Sequence, residues 1–187
     1  MQTIISLTTE ITLPLAGNGQ GIGPCLKPTK KSAPAMEIGV SLRTVRVTDC
    51  RRFVRQAAEA GDAIIPEGFS GISLWWWMRR RFDMAYCILA DGKPRGIAGI
   101  YDAKPDMTAW VGLAIFDSTG RGLGAGSSAL RLLAGIMRNS GVQRLFAGVE
   151  AGNEAGLGFW IKNGFSVSAR EKTKTILSAD LYTLSWR

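Results

Sequence analysis

The sequence contains no histidine among its 187 residues, and its three cysteines, Cys25, Cys50 and Cys87, are widely spaced. Without histidine the chain lacks the commonest metal ligand and the usual general base, so a histidine-dependent catalytic triad is excluded. The cysteine spacing fits neither a metal cluster nor a disulfide framework. We therefore expect reduced thiols, a cytoplasmic location and no bound metal.

Long apolar runs are also missing. No run approaches the roughly 20 residues that a helix needs to cross a bilayer. The mildly apolar start at 1–16 has no basic region and is interrupted by Glu10, so we expect neither a membrane span nor a secretory signal. Apolar residues make up 46% of the chain and charged residues 20%, which suits one domain with a full core.

Positive charge exceeds negative charge, with a net charge of +8 at pH 7, and this balance favours acidic ligands. The basic residues are dispersed apart from three arginines at 79–81, which follow three tryptophans at 75–77. On a helix three consecutive tryptophans cannot share one buried face. We expect core packing beside a solvated basic face; the alternatives are a substrate pocket, a partner surface or stacking on nucleic-acid bases.

The first 35 residues differ in composition from the rest of the chain. Glycines and a proline are dense at 17–24, and lysines and prolines at 27–34. This composition predicts a flexible or loosely packed N-terminal extension over 1–35. The compact domain then covers 36–187.

Hydrophobic periodicity and turn residues predict the order of elements along the domain. A strand at 42–47 precedes a helix at 49–60, for which Thr48 would be the N-cap. The remaining expected elements are a helix at 73–82, strands at 84–90, 95–102 and 109–116, a helix at 127–140, a strand at 143–149, a helix at 154–162, and strands at 165–169 and 180–186.

A glycine-rich segment, 121–126, lies between the expected strand 109–116 and an amphipathic helix. Glycine lets the backbone approach a ligand closely, and the free amides of a helix's first turn favour an anion. The segment therefore predicts a diphosphate cradle, with an ordinary glycine-rich turn as the alternative. Its spacing fits neither the nucleoside-triphosphate loop nor the dinucleotide fingerprint.

The segment resembles a signature of the GNAT acetyltransferase superfamily, Gln/Arg-x-x-Gly-x-Gly/Ala, with Arg121, Gly124 and Gly126 at the specified positions. A second motif follows about 30 residues later. Asn153-x-x-Gly-x-x-Phe-Trp-x-x-x-Gly-Phe165 is similar to the family's Asn-x-x-Ala-x-x-Phe-Tyr-x-x-x-Gly-Phe. The order of elements over 42–187 is also similar to that of the family.

The resemblance implies an α/β (α+β) fold, with a mixed, mostly antiparallel seven-stranded sheet, flanking helices and a V-shaped split between strands 4 and 5. It implies acetyl-coenzyme A (acetyl-CoA) as cosubstrate, with its pantetheine arm along the fourth strand and its pyrophosphate on the glycine loop. The implied cofactor-binding residues are Ala114, Ile115, Phe116, Arg121, Gly122, Leu123, Gly124, Ala125, Gly126, Ser127, Asn153, Phe159 and Trp160.

For catalysis the resemblance implies direct attack of a primary amine on the thioester. Trp160 stands where the family commonly has a tyrosine that protonates the leaving thiolate, and an indole is not a useful acid. Tyr101 and Tyr182, both expected on strands, are alternative donors. Glu150 is the first candidate for the base and Asp102 the second; each could instead be a solvated carboxylate at a strand end.

The leading hypothesis is an acetyl-CoA-dependent N-acetyltransferase. Its amine acceptor would be a small molecule, such as an amino-sugar nucleotide, or a protein N-terminus or side chain. The alternatives are a non-catalytic module that keeps the GNAT fold and an RNA-directed enzyme acting on aminoacyl-tRNA. Nucleic-acid binding is the less favoured hypothesis, and the resemblance also suggests a homodimer.

Overall fold

The computed structural model describes residues 39–60, 65, 68–117 and 121–184, which contain seven strands and four helices. The expected extension 1–35 lies outside the described residues. The elements are β1 (Val40–Thr44), α1 (Val47–Ala60), α2 (Gly71–Arg81), β2 (Met84–Ala90), β3 (Lys93–Tyr101), β4 (Thr108–Ile115), α3 (Ala125–Asn139), β5 (Arg144–Glu150), α4 (Glu154–Lys162), β6 (Ser166–Arg170) and β7 (Lys174–Asp180).

The strands form one sheet in the order β1-β2-β3-β4-β5-β7-β6. Its neighbouring strands are antiparallel except for β4 and β5, which run parallel. This confirms the expected mixed, mostly antiparallel sheet. The β2–β3 connection is a tight turn in which Asp91 (φ 50°) and Gly92 (φ 72°) both adopt positive φ, the backbone geometry that suits a two-residue hairpin.

The parallel pair β4–β5 is short. Its pairing joins 108–110 on β4 to 144–146 on β5 and ends at Trp110 and Phe146. Beyond these residues β4 continues to Ile115 and β5 to Glu150 with a cavity between them. This confirms the expected V-shaped split.

Helix α1 begins at Val47, so Thr48 lies inside the helix and is not the expected N-cap. The carboxylate of Asp49 satisfies the helix start instead. It accepts the backbone N–H of Arg46 at 2.8 Å and two N–H groups of the Arg43 guanidinium at 2.7 and 2.8 Å. Burial raises the pKa of Asp49, but these hydrogen bonds outweigh burial and hold that pKa below its ordinary value.

Adjacent strand residues point into two different cores, one on each side of the sheet. Ile88 and Ala98 pack with α3 and α4, which we call the α3-side core. Cys87 and Ile97 pack with α1 and α2, which we call the α1-side core. Large fully buried side chains include Leu130, Leu133, Met137, Leu145 and Leu177 on the α3 side, and Phe53 and Met78 on the α1 side.

The tryptophan run on α2 packs less deeply than expected. The helix buries Leu74 and Met78, and Trp75 is partly buried, whereas Trp76 and Trp77 are 56% and 45% exposed. The buried positions are four residues apart, so the residues between them turn outward. Of the three tryptophans on α2, only Trp75 therefore packs against the core.

The strand expected at 180–186 is wrong, because the last strand among the described residues is β7, Lys174–Asp180, and 181–184 are not on a strand. The Glu171 backbone N–H donates to the Lys174 carbonyl at 2.8 Å and closes a short β6–β7 hairpin where the sequence suggested a long loop. β7 ends because the Asp180 carboxylate accepts the backbone N–H groups of Tyr182 and Thr183 in a turn. Tyr182 is consequently not on a strand and is 62% exposed.

The described helices include none that is both long and apolar enough to cross a membrane. Within the same residues, no group of three or more histidine, cysteine, aspartate or glutamate side chains could hold a metal ion. Cys50 and Cys87 are free and buried, and burial raises the pKa of each thiol to about 12. Neither thiol is therefore a nucleophile at neutral pH.

Candidate active site

A cavity of about 880 Å³ occupies the split between β4 and β5. Three structural units enclose it: the diverging strands, the glycine loop with the start of α3, and one face of α4. The lining residues are Tyr101, Val111, Gly112, Leu113, Ala114, Ile115, Arg121, Gly122, Gly124, Ala125, Gly126, Ser127, Gly148, Val149, Glu150, Asn153, Ala155, Gly156, Phe159, Trp160 and Lys162.

The glycine loop requires glycine for its backbone conformation. Gly122 (φ 78°) and Gly124 (φ 90°) both lie in the left-handed region, and α3 begins directly after Gly124. A Cβ atom at either position would meet no atom of the described residues within 4 Å. Among the described residues, nothing fills the space in front of the loop. The first amides of α3 are available to a ligand because the helix cannot bond them internally.

These features make the start of α3 suitable for an anion. The backbone N–H groups of Ala125, Gly126 and Ser127 lie in the first helical turn and border the cavity, and the helix dipole favours negative charge there. Arg121 adds a cation at the same place. Its Nε donates to the Ile115 carbonyl at 3.0 Å, which ties the loop to the end of β4.

Gly126 has a different role from the other two glycines. A Cβ atom at this position would lie 3.2 Å from Cε2 of Phe159 and 3.5 Å from Cδ2 of Leu113. Glycine therefore allows the first turn of α3 to pack closely on α4 and β4. This contact connects the loop with the aromatic wall of the cavity.

Helix α4 supplies that wall. Asn153 caps the helix by accepting the Gly156 backbone N–H at 2.8 Å. Trp160 is 6% exposed and packs edge-on against Phe159 and Phe165, with ring centroids 5.2 and 4.8 Å apart. Its indole thus belongs to the α3-side core as well as to the cavity wall.

The alternation of hydrogen bonds decides which backbone groups of β4 face the split. The N–H of Phe116 donates to the Arg95 carbonyl on the β3 side at 2.9 Å. In an antiparallel ladder successive residues bond to opposite sides, so Val111, Leu113 and Ile115 direct their N–H and C=O groups away from β3. These three residues therefore offer a backbone edge that an extended ligand could pair with, except at the Ile115 carbonyl, which already accepts a hydrogen bond from Nε of Arg121.

Two of the expected cofactor-binding residues do not line the cavity. Phe116 stacks on Phe53 in the α1-side core with a centroid distance of 4.9 Å, and its N–H is already bonded. Leu123 is 61% exposed on the outer side of the loop. The other eleven line the cavity: Ala114, Ile115, Arg121, Gly122, Gly124, Ala125, Gly126, Ser127, Asn153, Phe159 and Trp160.

The expected catalytic residues separate into two groups. Glu150 and Tyr101 line the cavity, and burial raises the pKa of the Tyr101 phenol. Asp102 does not line it; its side chain is 55% exposed, and its carboxylate pairs with Nζ of Lys104 at 3.3 Å. Tyr182, beyond β7, is also outside the lining.

Sequence reasoning missed several lining residues, notably Leu113, Gly148 and Lys162. The two-residue period of β4 indicates that alternate residues share an edge, but not which set faces the split. Gly148 lines the cavity because β5 lies across the split from β4. No pattern in the neighbouring sequence indicates this position. Lys162, in the last turn of α4, brings a further cation to the cavity.

Comparison with known proteins agrees with this geometry. The family model described as "Acetyltransferase (GNAT) family" matches residues 51–165, more than half of the chain. No curated protein matches the chain significantly.

Solved structures share the fold. Mycobacterium smegmatis RimJ in complex with CoA-disulfide is similar with a TM-score of 0.66 and 20% identity, over 79% of this chain and 83% of RimJ. YncA from Salmonella typhimurium, solved with its cofactor acetyl-CoA, has a TM-score of 0.60 and 20% identity, over 76% of this chain and 94% of YncA. A ribosomal-protein-alanine N-acetyltransferase from Brucella melitensis has a TM-score of 0.59 and 19% identity, over 74% of this chain and 98% of that enzyme.

Proposed function

Because this chain belongs to the GNAT family of acetyltransferases, we propose that it transfers the acetyl group of acetyl-CoA to a primary amine. The observation that carries the proposal is the cavity in the β4–β5 split. One end of it holds the free amides of a helix start, and its side is the unpaired backbone edge of β4. These are the groups that a molecule with a pyrophosphate and an amide-containing arm requires.

The pyrophosphate would be bound by the amides of Ala125, Gly126 and Ser127, with Arg121 neutralising charge. The extended arm would pair with β4 at Leu113 and Ile115. Five lining residues of β4, 111–115, span about 13 Å at a rise of about 3.3 Å per residue. The net charge of +8 also favours a polyanionic ligand. RimJ and YncA, which share the fold, were solved with CoA-disulfide and acetyl-CoA.

Acetyl-CoA supplies an activated acetyl thioester, and the protein supplies position and proton transfer. In the balanced step a bond forms between the amine nitrogen and the acetyl carbon, and the carbon–sulfur bond breaks. We assign removal of the amine proton to Glu150. Its backbone carbonyl accepts the Asn153 N–H at 3.1 Å, which couples the end of β5 to the start of α4.

The departing thiolate needs a proton. Trp160 cannot provide one, so we assign this role to Tyr101, the tyrosine that lines the cavity. Because burial raises its pKa, the phenol stays protonated throughout the neutral range. Holding both reactants side by side supplies much of the rate by proximity, and backbone donors of β4 would stabilise charge on the carbonyl oxygen.

Isothermal titration with acetyl-CoA and a thiol-release assay with a panel of primary amines test the proposal. Micromolar binding and amine-dependent thiol release are expected. Gly124→Glu should abolish binding because it places a bulky carboxylate in front of the helix start and also strains a backbone at φ 90° that favours glycine. Gly158→Glu is the matched control, since Gly158 is exposed on α4 and does not line the cavity.

Each outcome separates one hypothesis from the others. Acetyl-CoA binding without transfer to any amine would favour a non-catalytic module. A folded protein that does not bind acetyl-CoA, or equal binding by both glutamate variants, would refute the placement of the site.

A further inference from the structure

Three aromatic residues cross the sheet at the point where the split opens. Tyr101 on β3, Trp110 on β4 and Phe146 on β5 are direct partners in the strand register. Their ring centroids are 6.1 Å apart for Tyr101 and Trp110, and 5.5 Å apart for Trp110 and Phe146. We call these three residues the aromatic row.

The aromatic row lies on the α1 side of the sheet. The residues that flank it along the strands, Ala109, Val111, Leu145 and Ala147, are buried in the α3-side core, so the row points the opposite way. All three rings remain partly exposed. Arg81 approaches the Tyr101 ring, with its guanidinium carbon 5.8 Å from the ring centroid. The open part of the row is therefore over β4 and β5.

Glycines follow the aromatic row on the same face, two residues further into the split. Gly112 on β4 and Gly148 on β5 both line the cavity. A Cβ atom at Gly148 would meet one neighbour, Cζ3 of Trp110, at 3.7 Å. At Gly112 the ring of Phe82 covers the α1 side, because a Cβ atom there would lie 3.3 Å from Cε1 of Phe82. The opening toward the α1 side is therefore at Gly148, which is exposed. We call this opening the glycine gap.

Glu150 lies two residues beyond Gly148 on β5 and so shares its face of the strand. One path therefore runs from the aromatic row, across the glycine gap, to the carboxylate that we assign as base. An acceptor bound along this path would have its apolar part on the row and its amine at the gap. The path is continuous with the cavity, because Tyr101 belongs both to the aromatic row and to the cavity lining.

We propose that the acceptor is a primary amine joined by a short linker to a planar aromatic group, and that the aromatic row is its specificity site. This inference rests on the proposed acetyl transfer. Aromatic rings attract one another in edge-to-face and offset arrangements beyond the gain from burial alone. The Arg81 guanidinium beside the row disfavours polycations such as polyamines.

The test compares three amines as acceptors: tryptamine, spermidine and glucosamine. We expect kcat/KM for tryptamine to exceed the other two by about tenfold or more. Trp110→Leu should raise KM for tryptamine by about five- to tenfold with little change in KM for acetyl-CoA, because Trp110 does not line the cavity. Trp76→Leu, the same change at a tryptophan 56% exposed on α2, is the matched control.

A second variant covers the case in which Trp110→Leu does not fold. Gly148→Leu places a side chain in the glycine gap, where a Cβ atom makes only an ordinary contact at 3.7 Å. It should reduce transfer to tryptamine more than Gly148→Ala does. Circular dichroism of each variant verifies folding.

Failure of this inference differs from failure of the proposed function. Transfer to spermidine or glucosamine as efficient as to tryptamine would overturn the aromatic acceptor but leave acetyl transfer intact. If no amine is acetylated, calorimetric titration of tryptamine into the CoA-loaded protein decides the matter. Binding that Trp110→Leu weakens and Trp76→Leu does not would support the specificity site, and no binding would overturn it.

Discussion

Two parts of the cavity are built by different means. In the loop part, consecutive residues from Arg121 to Ser127 provide backbone amides and one guanidinium. In the strand part, Tyr101, Gly112, Gly148 and Glu150 come from three strands, which the sheet brings together. The loop part depends on local backbone conformation, whereas the strand part depends on the position of every strand in the sheet. We therefore expect different failures when each part is altered.

The largest effect is expected in the loop part. Ser127→Glu should weaken acetyl-CoA binding by roughly 100-fold or more, because two like charges about 4 Å apart repel by up to about 4 kcal/mol near a protein surface. The stability of α3 should not fall, because an acidic residue in the first turn interacts favourably with the helix dipole. Calorimetry measures the affinity. Ser128→Glu is the matched control in the same turn and does not line the cavity; an equal loss there would show that general charge, and not the cradle, matters.

In the strand part of the cavity the expected effect is on turnover and not on cofactor affinity. Glu150→Gln should lower kcat by about 100-fold, the usual contribution of a general base, and leave acetyl-CoA affinity within about twofold. Asp102→Asn makes the same isosteric change at an exposed carboxylate paired with Lys104. If both variants behaved alike, Glu150 would not be the base.

A smaller effect is expected from Tyr101→Phe. Removal of the phenol should lower kcat by about tenfold, because solvent can also protonate the thiolate. Burial raises the pKa of Tyr101, so the phenol remains protonated up to a higher pH than a free tyrosine. Any loss of activity from its ionisation should accordingly occur at a higher pH than for a free tyrosine and be absent in the variant. Tyr182→Phe is the control; unchanged kcat in Tyr101→Phe would remove the residue from the mechanism.

Much of the fold follows from local signals in the sequence. The Asp91-Gly92 turn, the Asn153 cap and the left-handed glycines at 122 and 124 are each recognisable from a few neighbouring residues. The order of elements was therefore predictable up to β6. The position of the last strand was not predictable. The polar residues at the start of β7 are typical of a loop, but pairing with β5 and β6 outweighs that local preference.

The site also contains residues that the local sequence identifies and residues that only the fold brings to the cavity. Eleven of the thirteen expected cofactor-binding residues line the cavity, and most belong to one continuous loop and helix start. Phe116 was expected there because it ends the preceding strand, yet its side chain and its N–H both face away from the split. Leu113, on the correct edge of β4, had no distinguishing feature in the sequence.

The sequence alone determined the glycine loop at 121–126, the capped helix α4 and the absence of any histidine chemistry, because each depends on residue types and on contacts within a few positions. Tertiary structure decided which edge of β4 faces the split, that Gly112 and Gly148 both line the cavity, and that three distant aromatic residues form one row. Those properties depend on strand register. A shift by one residue exchanges the two faces of a strand, and only the pairing of all the strands together selects one register.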